Sequence, residues 1–185
     1  MRTAILWHLT APFSTERCVI ATHGETLRFT GTVVHVADGH PSHTSYTVTL
    51  DPQWRTRAVD IHSAALQGER SLHLTADGQG NWWRDEAQYP ALDGCIDIDL
   101  GITPATNTLP IRRLGLHVGQ SADVEAAWVR FPALTIERLP QRYTRLTADR
   151  YRYESPDFAA TLDVDEKGLV RAYEGLWQAI AVEEG

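Results

Sequence analysis

Alternation of apolar and polar residues is the dominant pattern along this chain. Four runs place apolar residues at every second position, and they are SYTVTL (45–50), SLHLTA (71–76), CIDIDL (95–100) and FAATLDV (158–164). Because successive side chains of a β-strand point to opposite faces, a period of two predicts half-buried strands. Seven further runs read as strands, at 25–37, 54–66, 111–118, 123–131, 134–139, 142–148 and 150–155.

Helical periodicity is weak almost everywhere. The tail AYEGLWQAIAVEE (172–184) fits a short helix or a closing strand, and Gly175 weakens the helix. About eleven strands are too many for one flat sheet, since open twisted sheets rarely exceed about 10 strands. We therefore predict a single mainly β domain over residues 1–185, a large antiparallel, strongly curved sheet or barrel with little helix. A wide barrel encloses space, and a two-sheet sandwich is the alternative.

The stretch LDGCIDIDLGITPATNTLPIRRL (92–114) carries the densest candidate chemistry. On a strand, Asp97 and Asp99 share one face, about 7 Å apart. That separation suits a carboxylate pair in glycoside hydrolysis, and it also suits a metal. The simpler interpretation places both acids on the solvent face of an amphipathic strand.

Two prolines and two arginines follow the acids. TPATNTLP (103–110) is typical of a shaped corner, because proline fixes φ and the Thr and Asn107 side chains bond nearby backbone. If 111–118 is a strand, Arg112 and Arg113 point to opposite faces. One arginine is then the expected counter-ion of Asp97 or Asp99, and the other faces solvent or a ligand.

Several stretches together resemble a known family. They are LDGCIDIDLGITPATNTLPIRRLGL, Trp54 with Arg57, LTADGQGNWW, QRYTRL, YRYES and FAATLDVDEKGLVRAYEGLW. They are similar to the bacterial glycolipid-binding family that was formerly a domain of unknown function. The resemblance covers most of the chain and implies a large antiparallel β-structure like that of lipoprotein-carrier barrels. It implies glycolipid binding and carries over no catalytic residues. This chain has Ala105 where the family leads us to expect a bulky aromatic residue.

Composition narrows the classes of partner. The net charge of −7 argues against nucleic acid and against an anionic membrane surface. No apolar run approaches the ~20 residues that span a bilayer, and the N-terminus lacks a signal-peptide pattern. These features predict a cytoplasmic location. Cys18 and Cys95 are predicted to be buried and reduced.

The histidines and aromatic residues complete the candidates. His35, His40 and His43 are predicted to be exposed loop residues, and we expect no metal or cofactor. Trp82 and Trp83 face opposite ways on a strand, so at most one lines a cavity, whereas Tyr151 and Tyr153 share a face. Core packing is the ordinary alternative for every aromatic residue. The candidate ligand-binding residues are Asp97, Asp99, Asn107, Arg112, Arg113, Trp83, Tyr151 and Tyr153.

Three functional hypotheses follow. The favoured one is a non-enzymatic protein that binds a small amphipathic ligand, such as a glycolipid, in a β-barrel cavity. The alternative is a hydrolase acting on a sugar or lipid, with Asp97 and Asp99 as its acid–base pair. The third is a structural or interaction protein whose barrel is filled by its own side chains. The sequence does not determine the oligomeric state.

Overall fold

A computed structural model describes residues 2–10, 13–37, 39–66 and 68–185. Its strands are β1 Arg2–Leu9, β2 Ser14–His23, β3 Thr26–Ala37, β4 His40–Leu50, β5 Thr56–Ala65, β6 Gly68–Ala76, β7 Trp82–Arg84, β8 Ala87–Gln88, β9 Asp97–Leu100, β10 Ser121–Arg130, β11 Thr135–Arg145, β12 Arg150–Ser155, β13 Phe158–Val164, β14 Val170–Tyr173 and β15 Trp177–Glu184. The helix α1 covers Thr108–Leu114, and single 3₁₀ turns cover Pro90–Leu92 and Ala105–Asn107.

The alternation of apolar and polar residues in the sequence matches the alternation of buried and more exposed side chains along the strands. In β4, Tyr46, Val48 and Leu50 are buried while Thr47 and Thr49 are half-buried. β1 repeats the pattern over its whole length. The mainly β prediction is therefore confirmed, because every second side chain has an apolar interior to enter.

All the strands belong to one strongly curved sheet of 15 strands. One wing runs from β1 to β8, the other runs back from β15 to β9, and the wings join where β1 pairs with β15. Neighbouring strands are antiparallel except β9 and β10, which are parallel. The two-sheet sandwich is thus wrong, since a single hydrogen-bonded sheet provides both walls of the core.

The sheet curves far enough for its ends to meet, yet it does not close into a barrel. The N–H of Thr56 in β5 donates to the carbonyl of Ile96 at 3.3 Å, and the Thr56 hydroxyl accepts from the N–H of Ile98 in β9 at 3.0 Å. The Trp82 indole N–H donates to the carbonyl of Cys95 at 2.7 Å. Away from the β1–β15 ladder, the far ends of the two wings are therefore linked by isolated bonds.

The predicted strand at 111–118 is wrong, because residues 108–114 form α1. Pro110 is the third residue of this helix, where the missing N–H would have no intrahelical partner anyway. Gly115 ends the helix with a left-handed φ of 56°, the usual C-terminal signal. Proline thus marks a helix start here, although the sequence pattern suggested a strand start.

The tail forms strands rather than a helix. Gly175 sits in a turn with φ of 74°, and β15 then pairs with β1. Of the two alternatives at 172–184, the closing strand is the one observed. A helix would have left the outer edge of β1 without a hydrogen-bonding partner.

The interior is filled by the protein's own residues. Residues 102–111 are all buried and enter the hollow of the sheet. Trp7, Phe29, Tyr46 and Trp82 belong to the same continuous core cluster. Among the described residues, we find no support for the enclosed ligand cavity that a wide barrel predicts.

The predicted loop histidines lie in strands instead. His35 is in β3 and is buried, with its Nε2 3.1 Å from the Thr44 hydroxyl, whereas His40 and His43 in β4 are exposed. Burial lowers the pKa of His35. Asp38, between these strands, lies outside the described residues. Cys18 and Cys95 are buried, as predicted.

Candidate functional site

Asp97 and Arg113 form an ion pair inside the curved sheet. Arg113 Nε donates to Asp97 Oδ1 at 3.0 Å and its Nη2 donates to Oδ2 at 2.5 Å, which is a bidentate arrangement. The Asp97 side chain is only 1% exposed. The predicted counter-ion is therefore present, and it links α1 to β9. Asp97 is buried and Asp99 is half-buried in β9, so the interpretation that places both acids on a solvent face is wrong.

Arg112 lies on a different side of α1 and is exposed. Its guanidinium carbon lies 5.1 Å from the centre of the Trp54 ring, within range of a cation–π contact. The side chains of successive helical residues point about 100° apart around the helix axis, whereas those of a strand point to opposite faces. Arg112 therefore lies at the rim of the interior rather than on the side opposite Arg113.

A surface cleft of about 310 Å³ opens beside Asp99. We call it the aromatic cleft, and it lies between the segment after β9 and the ends of β10 to β15. Its walls and floor are Asp99, Leu100, Gly101, Thr103, Asn107, Trp128, Leu139, Tyr153, Ser155, Pro156, Asp157, Phe158, Tyr173, Leu176 and Trp177. Aromatic rings and two carboxyl groups line it, without a Lys, Arg or His among these residues.

A chain of hydrogen bonds fixes the polar floor of the cleft. The Asn107 amide donates to the Tyr143 hydroxyl at 2.9 Å, and that hydroxyl lies 3.5 Å from Gln141 Oε1. Gln141 Nε2 donates to Asp99 Oδ2 at 2.5 Å, and the Thr106 hydroxyl is 3.5 Å from Oδ1. These side chains therefore hold one another in fixed positions.

Burial controls the charge of Asp99. It raises the pKa of this carboxyl to about 6, against the opposing effect of the Gln141 and Thr106 hydrogen bonds. The nearby Asp97 carboxylate raises it further. Asp99 consequently titrates close to neutral pH, and below that point it can donate a hydrogen bond as well as accept one.

Tyr153, Phe158 and Tyr173 of the cleft wall form a cluster of aromatic rings with the buried Tyr143. Tyr153 contacts Tyr143 edge-on at 5.3 Å between ring centres, and it lies 6.2 Å from both Phe158 and Tyr173. Phe158 is 41% exposed at the rim. Tyr153 and Tyr173 are 4% and 9% exposed, so Phe158 contributes most of the exposed surface of these three rings.

Three of the eight predicted ligand residues meet in the aromatic cleft, namely Asp99, Asn107 and Tyr153. Trp83 does not join them, because its neighbour Trp82 takes the inward position and Trp83 is half-buried on the other face of β7. Tyr151 is buried at a smaller depression of about 160 Å³ that it shares with Arg112. Asp97 and Arg113 support the floor through β9 and α1.

Sequence reasoning missed several residues of the cleft. Trp128, Phe158, Tyr173 and Trp177 come from four different strands. The alternation in FAATLDV does place Phe158 on the inward face, but nothing local shows that this strand end borders an opening. Tyr173 and Trp177 lie in the tail whose secondary structure the sequence left open.

A further carboxyl is fully buried outside the cleft. Glu16 in β2 accepts a hydrogen bond from the Tyr46 hydroxyl, and this hydroxyl lies 3.4 Å from the hydroxyl of Thr103, a residue of the cleft. The second carboxyl oxygen of Glu16, Oε2, has no hydrogen-bond partner among the described residues. Burial raises the pKa of Glu16 to about 7, with the Thr103 and Tyr46 hydrogen bonds opposing the shift.

The geometry gives the acid–base hypothesis no support. Asp97 is held in a bidentate ion pair and does not line the cleft, so only Asp99 of the pair faces a possible substrate. Glycoside hydrolysis needs both carboxyl groups beside the scissile bond. In the described part of the chain, no group of three or more His, Cys, Asp or Glu residues could hold a metal ion.

The chain is similar to known proteins over most of its length. The model of a family described as "Putative glycolipid-binding" matches residues 4–179. A crystal structure of a DUF1089 family protein from Pseudomonas aeruginosa is 40% identical, with a TM-score of 0.82, and the match covers 90% of this chain and 92% of that chain. No curated protein matches. Among the described residues, no helix is long and apolar enough to cross a membrane.

Proposed function

Since this chain belongs to the family described as "Putative glycolipid-binding", whose model matches residues 4–179, we propose that it binds an amphipathic glycolipid without chemical conversion. We place the sugar headgroup in the aromatic cleft and the acyl part along its exposed apolar rim. Asp99, Asn107 and Tyr153 contact the sugar in this proposal. A cytoplasmic location stays a prediction from the sequence.

The observation that carries the proposal is the combination of aromatic walls with an organised polar floor. Sugars present apolar C–H faces and hydroxyl edges, so they suit rings such as Tyr153 and Tyr173 beside acceptors such as Asp99. A volume of about 310 Å³ lies within the range of small-ligand pockets and suits one headgroup rather than a whole lipid.

The charges around the cleft favour a neutral headgroup. Asp99 and Asp157 line it, and no Lys, Arg or His does so. A phosphate entering this space would meet two carboxyl groups and, among the described lining residues, no cation, which carries a high electrostatic cost. The ligand class that suits this cleft in our proposal is therefore a neutral sugar rather than a phosphorylated headgroup.

Calorimetric titration with an alkyl glucoside below its micelle concentration tests the proposal. We expect the parent protein to bind the glucoside and to bind the matched alkyl phosphate at least tenfold more weakly. Asp99→Asn removes the charge but keeps the side-chain shape, so it should improve binding of the alkyl phosphate relative to the glucoside. Phe158→Ala removes an exposed wall ring and should weaken glucoside binding about fivefold, a loss of about 1 kcal/mol.

Trp83→Ala is the matched control, because it removes an aromatic ring from the face outside the cleft. It should leave glucoside affinity unchanged. Solvent extraction of the purified protein followed by mass spectrometry tests the same idea without a chosen probe. Failure of the parent protein to bind any alkyl glycoside, or equal losses in Trp83→Ala and Phe158→Ala, would contradict the proposal.

A further inference from the structure

The outer face of β1, β2 and β3 holds a second depression, which we call the basic groove. It measures about 650 Å³ and lies on the outer side of the sheet. Its lining residues are Arg2, Arg17, Val19, Ala21, Thr22, His23, Arg28, Thr30 and Gly185. No carboxyl side chain is among them, although the chain as a whole carries a net charge of −7.

The strand register brings two of the arginines to opposite sides of one small residue. Arg2 pairs with Ala21, and Ala21 pairs with Arg28, so the three residues form one row across three strands. Adjacent strands are about 4.8 Å apart, which separates the Arg2 and Arg28 backbones by about 10 Å. The methyl group of Ala21 leaves the space between the two long side chains open.

Arg17 completes the arrangement from the same strand as Ala21. It lies four residues away on the same face, and its cross-strand neighbours are Leu6 and Thr32. Within the described residues, no side-chain carboxylate forms an ion pair with Arg2, Arg17 or Arg28. Glu183 is opposite Ala4 on this face but does not line the groove.

Arg2 and Arg28, with backbones about 10 Å apart, repel one another, and an anion between them removes that cost. Guanidinium groups bind phosphate oxygens with paired hydrogen bonds. The combined positive charge of three arginines also suits a phosphate group better than a single carboxylate, which carries less negative charge. We propose that the basic groove is a binding site for a phosphate group. The site is separate from the aromatic cleft, whose carboxyl groups disfavour the same chemistry.

Titration of the parent protein at low ionic strength tests the site, with inorganic phosphate and pyrophosphate as soluble probes. A second arm measures co-sedimentation with phosphatidylcholine vesicles that contain or lack phosphatidylglycerol. Binding of the soluble probes assigns the site to free phosphate compounds. Binding only to the vesicles with phosphatidylglycerol assigns it to a lipid headgroup. In either arm the affinity should fall as salt is added.

Variants tie the binding to the groove. Arg17→Ala and Arg28→Ala should each weaken binding about fivefold, and Arg28→Lys should lose less because it keeps the charge. Arg28→Glu should abolish phosphate binding. The control, Arg70→Glu, makes the same charge change at an exposed position of β6 and should bind phosphate as the parent does. The proposal is overturned if no probe binds at low salt, or if Arg70→Glu loses as much as Arg28→Glu. These outcomes do not depend on the glucoside titration.

Discussion

Glu16 and Asp99 are carboxyl groups that the fold removes from bulk water. Burial raises the pKa of Glu16 to about 7 and that of Asp99 to about 6. Asp97, two residues from Asp99, is instead matched by Arg113 in a bidentate pair. The sequence indicated that Asp97 or Asp99 would have an arginine partner. The sequence did not single out Glu16, because the burial of a strand side chain depends on the strands and segments that pack against it in the folded protein.

The buried Glu16 predicts a specific pH dependence of stability. Its pKa is raised from the ordinary glutamate value of 4.5 to about 7 in the fold. The unfolded chain therefore loses this proton first, and stability falls as pH rises from about 4.5 to about 7. Glu16→Gln removes the ionisation. Relative to the parent, its free energy of unfolding should rise by about 3 kcal/mol between pH 4.5 and pH 8.

Urea denaturation across this pH range measures the difference. Glu25→Gln, at an exposed hairpin position, is the control, because its side chain stays hydrated in both states. A difference between Glu16→Gln and the parent that is constant from pH 4.5 to pH 8 would mean that Glu16 does not titrate in this window.

At the scale of secondary-structure elements, the segment before β9 packs its backbone against the turn before β7. The Gly94 N–H donates to the Gly80 carbonyl at 2.8 Å. A Cβ on Gly80 would lie 2.9 Å from the Gly94 Cα, and Gly80 also has a φ of +101°. Both the close approach and the backbone angle require glycine here.

Gly80→Ala should therefore destabilise the protein by about 2–4 kcal/mol, because the obstructing atoms are backbone and cannot rotate away. Gly24→Ala is the matched control. Its φ is +60°, but nothing lies within 4 Å of the added Cβ, so only the cost of the left-handed conformation, about 1 kcal/mol, applies. Thermal unfolding compares the two variants, and equal losses would show that the approach to Gly94 is not tight.

For the whole molecule, the important contact is the one between the two wings. Thr56 in β5 is fully buried, and its hydroxyl accepts the N–H of Ile98 in β9 at 3.0 Å. This bond joins strands that are far apart in the order of the sheet. It helps to hold the sheet around the segment that carries Asp97 and Asp99.

Thr56→Val has nearly the same shape but leaves the Ile98 N–H without its acceptor. We expect a loss of about 1–3 kcal/mol in the free energy of unfolding. Hydrogen exchange should also become faster at the Ile98 amide. Thr56→Ser keeps the hydroxyl and should restore slow exchange at Ile98. If the amide of Ile98 exchanges equally slowly in Thr56→Val, the contact does not hold the wings together.

The sequence alone determined the curved mainly β sheet, the buried cysteines and an arginine partner for the acidic pair. Alternating polarity is a local property, so each strand can be recognised from its own residues. The tertiary structure decided the rest. Only the packed chain shows that 108–114 becomes a helix inside the sheet, that Trp128 and Tyr173 meet Asp99, and that Arg2 and Arg28 flank Ala21. Those relations join residues distant in the chain, and strand pairing rather than local pattern sets which of them become neighbours.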